Sequence, residues 1–338
     1  MTSLERLCCP ACRGTLSPRP GGVACGACGC QYPAVGPILD LRVPGASWID
    51  YPEDRARALR LLALGPEVPV PLLFQEVFGR RPGWSEEQSA NRTRQALMGV
   101  ARLRGEVTSW LRPMLDGPGP VLDLGCGAGQ LAAALMLEGQ DVIGLDVSLE
   151  WLVVADRLVF AEAGRRPQLV AALAEALPFG DGMIGAVMSL DVIEHVGDQP
   201  GYLREINRVL SPGGHAAFTT PNRFSLAAEP HVGVWGVGWL PRSRQKAYVA
   251  WRSSLPYDYV RLLSSPELGR MLRRETELVA TVTPAPIPAE DIQRMDRRRA
   301  VLARIYNALL GVFLTRWLFR AIGPFFRVLG RKRGGLTG

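Results

Sequence analysis

The 338-residue sequence lacks long apolar runs and a high density of charge. No span reaches the roughly 18 uncharged apolar residues needed to cross a bilayer, which argues against a membrane-spanning protein. The opening stretch MTSLERLCCP has no basic start followed by an apolar core, so we expect no secretory signal and a cytoplasmic protein. Only 21% of the residues are charged and 47% are hydrophobic, so we expect one substantial core with smaller modules.

Cysteine is almost absent beyond residue 30, where Cys126 is the single example among seven. The other six begin at Cys8 and end at Cys30, and they include two C-x-x-C pairs separated by twelve residues. Two such pairs predict a structural zinc site, because four thiolates complete a tetrahedron and leave no open position. A disulfide framework is the alternative, and Cys8 or Cys30 could substitute as ligands. The predicted ligands are Cys9, Cys12, Cys25 and Cys28.

The most informative stretch reads VLDLGCGAGQ, from Val121 to Gln130. It predicts a short buried strand that runs straight into a turn with glycine at Gly125, Gly127 and Gly129. Because glycine has no Cβ, such a turn permits unusual backbone angles and lets a ligand approach the main chain. A helix predicted from about Gln130 to Glu138 adds free N–H groups at its first turn.

A second apolar run, Val142 to Leu145, ends on Asp146 seventeen positions after Gly129. A carboxylate at that place can accept hydrogen bonds from a ribose, whereas the structural alternative is a helix cap. Together with the glycine turn, the segments VIGLDVS, ALPF, DVIEHV and LSPGGHAAFTTPN occur in consecutive order over residues 118–221. This series resembles class I S-adenosylmethionine-dependent methyltransferases, and the chain is identified as a member of that class.

The resemblance implies an α/β fold with a Rossmann-like, seven-stranded methyltransferase sheet, here with a small N-terminal zinc ribbon and helical insertions. It implies that the methionine end of the cofactor lies against Asp123 and the glycine turn, and that Asp146 holds both ribose hydroxyls. Leu173 stands where the family often has an aspartate for the adenine amine, so adenine would rest on apolar groups. The remaining implied cofactor residues are Val147, Leu173, Ala174 and Leu190.

The N-terminal stretch CPACRGTL followed by CGACGCQYPAVGPILDLR resembles zinc-ribbon modules of certain ribosomal-RNA guanine methyltransferases and of methyltransferase activator subunits. Ribbons of this kind also precede methyltransferases of small molecules, so the module does not decide the acceptor. After it, one short helix is predicted from Arg55 to Leu64 and a long one from about Ser85 to Leu115. Trp84, Asn91 and Arg94 could face a substrate there, although solvated or core positions are the more usual interpretation.

A strand from Gly185 to Leu190 ends on the sequence DVIEHV, which places polar groups at the carboxyl edge of the predicted sheet. His195 has an ordinary pKa of about 6.5 and could remove a proton from the acceptor, or it could merely fix the loop with Glu194. The carboxylate-x-x-Glu-His pattern also resembles metal-dependent relatives, including ubiquinone-pathway O-methyltransferases. That resemblance implies a divalent ion at Asp191, Glu194 and His195, with His231 as a further ligand.

A loop rich in proline, glycine and aromatic residues follows the strand His215 to Thr219. Aromatic walls with a few polar groups suit a planar or apolar small molecule and also an RNA base, whereas the alternative is a plug of the core. We predict His231, with His195 and Glu194, in the catalytic set. The predicted acceptor residues are Asn222, Glu229, Trp235 and Trp239.

Basic charge is concentrated after Ala289, where eleven Lys or Arg face three Asp or Glu, a surplus of eight in a chain of net charge +7. A helix predicted from Met295 to Ile322 carries an apolar stripe at helical spacing. It could be a lid on the cleft, a helix at an anionic membrane surface, or an RNA contact. The predicted last strand is Phe325 to Arg331, with Glu277 to Thr283 as its partner.

These patterns predict an S-adenosylmethionine-dependent methyltransferase that acts on a hydroxyl, or less often an amine, of a small or lipid-like molecule. An RNA base methyltransferase and a catalytically silent cofactor-binding scaffold are the alternatives. The predicted divisions are a zinc ribbon (1–43), a linker and helical cap (44–117), the cofactor-binding core (118–221), a substrate loop with the end of the sheet (222–283), and a basic amphipathic insertion with the last strand (284–338).

Overall fold

The computed structural model describes residues 4–44, 49–81, 85–253 and 255–334, and Trp84 lies outside these ranges. The chain divides into two compact units. The first contains residues 1–189, 208–215 and 334–338, and the second contains residues 190–207 and 216–333. Among the described residues, every helix is too short or too polar to cross a bilayer.

The first unit begins with four short antiparallel strands built around the cysteine-rich stretch. Strands β1 to β4 pair in sequence order, and Cys25 faces Leu16 across the first pair. Buried apolar residues such as Val23 and Val35 give these strands their packed side, which so short a segment needs in order to fold. The strands are β1 (Leu16–Arg19), β2 (Gly22–Cys25), β3 (Gln31–Val35) and β4 (Ile38–Asp40).

Next to β4 lies a parallel sheet in the order β4-β7-β6-β5-β8. Its strands are almost continuously apolar and buried, as parallel strands covered by helices on both faces must be. The strands are β5 (Val121–Leu124), β6 (Val142–Asp146), β7 (Gln168–Ala171) and β8 (Ile184–Leu190), and the crossover helices are α5 (Gln130–Leu137) and α6 (Leu149–Ala163). The predicted helix after the glycine turn is confirmed.

The helical segment before β5 differs from its prediction. The short helix predicted from Arg55 to Leu64 is confirmed as α1 (Tyr51–Ala63), which begins four residues earlier, and α2 (Val70–Gly79) follows it. The single helix predicted over 85–115 is wrong, because the chain leaves helical angles at Met98, where ψ is −9°. The capping box at Ser85 and Gln88 starts α3 (Glu86–Leu97), which is followed by α4 (Gly99–Glu106) and then by π and 3₁₀ turns to Met114.

The second unit contains the end of β9 (Leu210–Pro221), which lies beside β11 (Phe325–Lys332), and β10 (Leu278–Pro284) at the edge. β10 and β11 pair antiparallel with Thr281 opposite Leu329, which confirms the predicted last pair of strands. The first helix of this unit is α7 (Gln199–Val209), whose residues 199–207 belong to it. The others are α8 (Arg242–Arg252), α9 (Ser265–Glu275), α10 (Ala289–Arg294), α11 (Arg297–Leu310) and α12 (Phe313–Ile322).

Two sequence expectations therefore need correction. The described residues form eleven strands rather than seven, because β1 to β4 add to the strands of the predicted sheet through the pairing of β4 with β7. The helix predicted from Met295 to Ile322 is two helices, α11 and α12, since the chain is extended at Met295 and again at Val312.

Candidate functional site

The glycine turn in the first unit is held by hydrogen bonds that its own backbone N–H groups donate. All three glycines have positive φ, and the N–H of Gly125 donates to the carbonyl of Leu145 at 2.7 Å. A Cβ at Gly129 would lie 2.9 Å from the Cβ of Ala155, so the packing of α6 against the turn requires glycine there. Around the Cβ direction of Gly127, no atom of the described residues lies within 4 Å, which leaves room for a ligand.

Asp123, at the end of β5, is 2% exposed and faces Met188 of β8 in register. Among the described residues, its Oδ2 has no hydrogen-bond partner. Burial raises the pKa of this carboxyl to about 8, a hydrogen bond from the backbone of Ala132 opposes the rise, and the charge of Asp146 adds to it. An unsatisfied buried carboxylate oxygen is rare, and it fits a ligand that brings a cation or an N–H donor.

Asp146 ends β6 and is anchored by two backbone groups. Its Oδ2 accepts from the N–H of Gly127 at 2.8 Å, and its Oδ1 accepts from the N–H of Ser148 at 2.9 Å. Burial raises the pKa of Asp146, and these two hydrogen bonds act in the opposite direction. Val147, Leu173 and Ala174 are all half-buried. The structure thus brings the predicted methionine-end and ribose carboxylates to opposite sides of one glycine turn.

In the second unit, His195, Glu229 and His231 form a connected chain of polar groups. Nε2 of His231 lies 3.1 Å from Nε2 of His195, and the two rings meet edge to face. Nδ1 of His231 contacts Oε1 of Glu229, whose Oε2 accepts from the N–H groups of His231 and Val232 at 2.9 Å each. Nδ1 of His195 lies 3.3 Å from the carbonyl oxygen of Tyr259.

The acceptors in this chain fix the positions of two ring protons. A carbonyl oxygen faces Nδ1 of His195 and a carboxylate faces Nδ1 of His231, so each Nδ1 carries a proton. With both rings neutral, two Nε2 lone pairs would face each other at 3.1 Å, so this contact accommodates one further proton and either Nε2 can accept it. Burial, and after it the neighbouring His231, lowers the pKa of His195 below its ordinary 6.5.

Glu194 is 1% exposed and lies beside the two histidines. Its Oε2 accepts from the hydroxyl of Thr220 at 3.0 Å, whereas its Oε1 has no partner among the described residues. Burial raises the pKa of Glu194 well above its usual range, and the charge of Asp191 acts in the same direction. Ligand atoms of Glu194, His195 and His231 all lie within 4.8 Å of one another.

That grouping differs from the metal ligands expected from the sequence. It includes His231 in place of Asp191, whose carboxylate instead accepts from the hydroxyl of Thr219 at 2.8 Å. Asp191 also adopts a positive φ of 56°, which turns the chain after β8. Sequence reasoning missed Thr220, which lies in the LSPGGHAAFTTPN segment but was given no role, and the Tyr259 carbonyl, which belongs to no motif.

The predicted acceptor residues separate into three environments. Glu229 is buried and joins the histidine chain. Trp235 and Trp239 are 61% and 48% exposed, so neither plugs the core of the second unit. Asn222 is buried, and its amide N–H groups donate to the carbonyls of Ala321 and Gly323 at 2.9 Å. Contact of an acceptor with Asn222 or with the tryptophans stays a prediction, as does contact of the cofactor with Leu190 at the end of β8.

The four predicted cysteine ligands converge in the first unit. Sγ of Cys9 lies 3.6 Å from that of Cys28, and Sγ of Cys12 lies 3.4 Å from that of Cys25. A zinc ion with four sulfurs at about 2.3 Å would hold them roughly 3.8 Å apart, close to these distances. Backbone N–H groups lower the pKa of the Cys25 and Cys28 thiols, with the N–H of Cys28 and of Cys30 as the leading donors, which favours thiolates.

Comparison with known proteins agrees with this geometry. Residues 122–218 match a family model described as a methyltransferase domain. A ubiquinone biosynthesis O-methyltransferase of Aliivibrio fischeri is 39% identical over 104 residues, which cover 30% of this chain and 44% of that protein. The corresponding enzyme of Chromobacterium violaceum is 34% identical over 159 residues, 45% of this chain and 62% of that protein.

The chain therefore spans less than two thirds of the length of these relatives. Among solved structures, phosphoethanolamine N-methyltransferase 2 of Haemonchus contortus in complex with S-adenosyl-L-methionine aligns with a TM-score of 0.48 at 18% identity. That alignment covers 79% of this chain and 60% of the other.

Proposed function

We propose that this chain, which contains a class I S-adenosylmethionine-dependent methyltransferase domain, transfers a methyl group to a hydroxyl of a small or lipid-like molecule. The observation that carries the proposal is the buried Oδ2 of Asp123, which has no hydrogen-bond partner among the described residues, beside a glycine turn that is open at Gly127. The named activity of the relatives supports oxygen rather than nitrogen as the methylated atom.

When bound, S-adenosylmethionine would supply an electrophilic methyl group, whose bond to the sulfonium sulfur breaks as the acceptor oxygen attacks the methyl carbon in line and the neutral thioether leaves. In the first unit, Asp123 would hold the ammonium of the methionine end, Asp146 would accept from the ribose hydroxyls, and Gly127 would line the cleft. Adenine would make apolar contact with Val147, Leu173 and Ala174. The chain's part is mainly alignment of the two reactants.

The acceptor hydroxyl must lose its proton as the new bond forms, and we assign that proton to His195 or His231. The proton acceptor is an Nε2 atom of the pair, and Glu229 stabilises the positive charge that results on His231. His195 is oriented by the carbonyl of Tyr259. The two histidines, with Glu194, also suit a divalent ion, and removal of metal distinguishes the two uses.

We further propose a structural zinc ion at Cys9, Cys12, Cys25 and Cys28. The purified protein should contain about one zinc per chain by elemental analysis. Cys28→Ser should lower this content and render β1 to β4 sensitive to protease. The exposed neighbour Cys30 lies outside the ligand set, so Cys30→Ser should keep the metal. Loss of zinc in Cys30→Ser alone would show that the ligand set is wrong.

The C-terminal helices offer a surface for an anionic bilayer. Leu302 and Ile305 of α11 are 66% and 50% exposed, and Trp317 of α12 is 70% exposed, so this stripe is not packed as a lid would be. Exposed arginines such as Arg304 and Arg316 flank it. We expect the protein to float with vesicles containing an anionic lipid and not with zwitterionic ones, and Trp317→Ala to weaken flotation. Failure to float with anionic vesicles would remove this surface from consideration.

The decisive test of the function uses methyl-labelled S-adenosylmethionine and an extract of cells that lack the protein. Label in the organic-soluble fraction is the expected result. Label in RNA would instead support the alternative in which the ribbon recognises a nucleic acid. Cofactor binding without label in any fraction would support the silent scaffold.

A further inference from the structure

We propose that Arg42 and Asp54, outside the methyltransferase domain, form a buried ion pair that positions the ribose- and adenine-binding segment, residues 146–148. This inference rests on the proposed cofactor site and adds two positioning residues to it. Arg42 ends the stretch that resembles a zinc ribbon and Asp54 belongs to no motif, and both lie in the first unit with the residues they would support.

Arg42 follows β4, and its side chain is 1% exposed. Its Nε and Nη2 donate to the two carboxylate oxygens of Asp40 at 2.7 Å each, which is the bidentate geometry that fixes a guanidinium in place. From that position Nη1 donates to Oδ2 of Asp54 at 2.7 Å and to the carbonyl oxygen of Val147 at 3.0 Å. The arginine thus holds directly the main chain of a residue predicted to contact adenine.

Asp54 lies on α1 and is 5% exposed. Its Oδ1 accepts from the hydroxyl of Ser148 at 2.7 Å, and its Oδ2 accepts from the N–H of Leu149 at 2.8 Å. Asp54 therefore caps the first turn of α6 from another helix and holds the residue whose own N–H donates to Asp146. Arg42 and Asp54, both far from residues 146–148 in the sequence, thus hold that segment through the carbonyl of Val147 and the hydroxyl of Ser148.

The same part of the chain contacts the next predicted adenine segment. β4 pairs in parallel with β7, and the N–H of Leu41 donates to the carbonyl of Ala171 at 2.8 Å. The N–H of Cys8 donates to the carbonyl of Pro178 at 2.9 Å. β4 and Cys8 therefore contact the cofactor-binding core on both sides in sequence of the residues predicted to hold adenine, Leu173 and Ala174. This contact gives the N-terminal strands a structural role that does not involve RNA.

These groups satisfy one another's hydrogen bonds. Loss of Arg42 would leave the buried carboxylates of Asp40 and Asp54 without this cation and the carbonyl of Val147 without its donor. Loss of Asp54 would leave the hydroxyl of Ser148 and the N–H of Leu149 without this acceptor. The segment would then sample conformations in which Asp146 and Val147 no longer face the ligand together. Cofactor binding would have to supply the ordering that the ion pair supplies now.

The test measures binding of two ligands that differ at the methionine end, S-adenosylhomocysteine and methylthioadenosine, by calorimetry. Arg42→Lys keeps the charge but cannot make the forked contact, and Asp54→Asn keeps the size. We expect each variant to weaken both ligands by the same factor, about tenfold, which equals 1.4 kcal/mol. Asp123→Asn should weaken S-adenosylhomocysteine and leave methylthioadenosine nearly unchanged, since Asp123 is assigned to the missing end.

Matched controls come from the exposed ion pair on the same helix, where Arg57 contacts Glu53. Arg57→Lys and Glu53→Gln should bind both ligands as the wild type does. In the variants of the buried pair, the KM for S-adenosylmethionine should rise while kcat at saturation stays unchanged, which general misfolding would not produce. Thermal unfolding of each variant confirms that the folded protein is being measured.

Wild-type affinity for methylthioadenosine in Arg42→Lys and Asp54→Asn would overturn the positioning role. A fall in affinity for S-adenosylhomocysteine alone would also contradict it. If the wild type itself binds neither ligand, the proposed function fails, and that outcome is distinct from the failure of the ion pair.

Discussion

His231→Ala is expected to lower kcat by about 10²–10⁴-fold while leaving the affinity for S-adenosylhomocysteine unchanged. The substitution removes the ring that joins Glu229 to His195, so a proton taken by His195 would no longer be shared with a buried carboxylate. The cofactor residues of the first unit are untouched. The measurement is the kcat on the acceptor identified by labelling, beside calorimetric binding of S-adenosylhomocysteine.

Glu229→Gln gives a graded test of the same idea. A glutamine oxygen can still accept from Nδ1 of His231, but it cannot stabilise a positive ring, so we expect a smaller fall in kcat than in His231→Ala. The control is His215, the one histidine of the sequence outside this pair. We expect the activity of His215→Gln to match the fraction of that variant that is folded. Equal activity of His231→Ala and the wild type would contradict the assignment.

The pH profile follows from the depressed pKa of His195. The base must be neutral, and burial with a neighbouring His231 holds its pKa below 6.5, so activity should fall only on the acid side of that value. An unperturbed histidine would lose activity at higher pH. If dialysis against a chelator abolishes turnover and a divalent ion restores it, the two Nε2 atoms with Glu194 act as metal ligands instead.

Local sequence patterns are enough to predict the elements that form the proposed cofactor site in the first unit. The strand, glycine turn and helix after Val121, and the carboxylate at Asp146, are contiguous in sequence, so hydrophobic pattern and turn chemistry predict them directly. The pairing of β10 with β11 was predicted from the resemblance instead, which implies an antiparallel pair of strands at the end of the sheet.

Contacts between segments that are far apart in the sequence could not be predicted from local patterns. The parallel pairing of β4 with β7 joins residues about 130 positions apart, and no local pattern encodes such a register. The Tyr259 carbonyl that orients His195 belongs to the backbone, which every residue has. Arg42 and Asp54 resemble any surface pair until the fold buries them together.

Asp123→Asn should have two opposite effects, higher stability of the ligand-free protein and weaker cofactor binding. The carboxyl is buried with a pKa of about 8, so the folded state holds its proton more tightly than the unfolded state does. Stability of the wild type should therefore fall as pH rises from about 4 towards 8, and the asparagine variant should lose that slope. Chemical unfolding of both proteins at pH 6 and pH 9 measures the difference.

Binding should change in the other direction. An ionised Asp123 can pair with the ammonium of the methionine end, and loss of a buried charge-assisted hydrogen bond weakens S-adenosylhomocysteine by roughly 10- to 100-fold. The exposed Asp116, seven residues earlier, provides the control, since Asp116→Asn should alter neither quantity. A variant at Asp123 that gained no stability at pH 9 and bound the cofactor normally would show that the carboxylate is not held for a ligand. The two effects together would show that the fold tolerates an unsatisfied buried acid because the cofactor satisfies it.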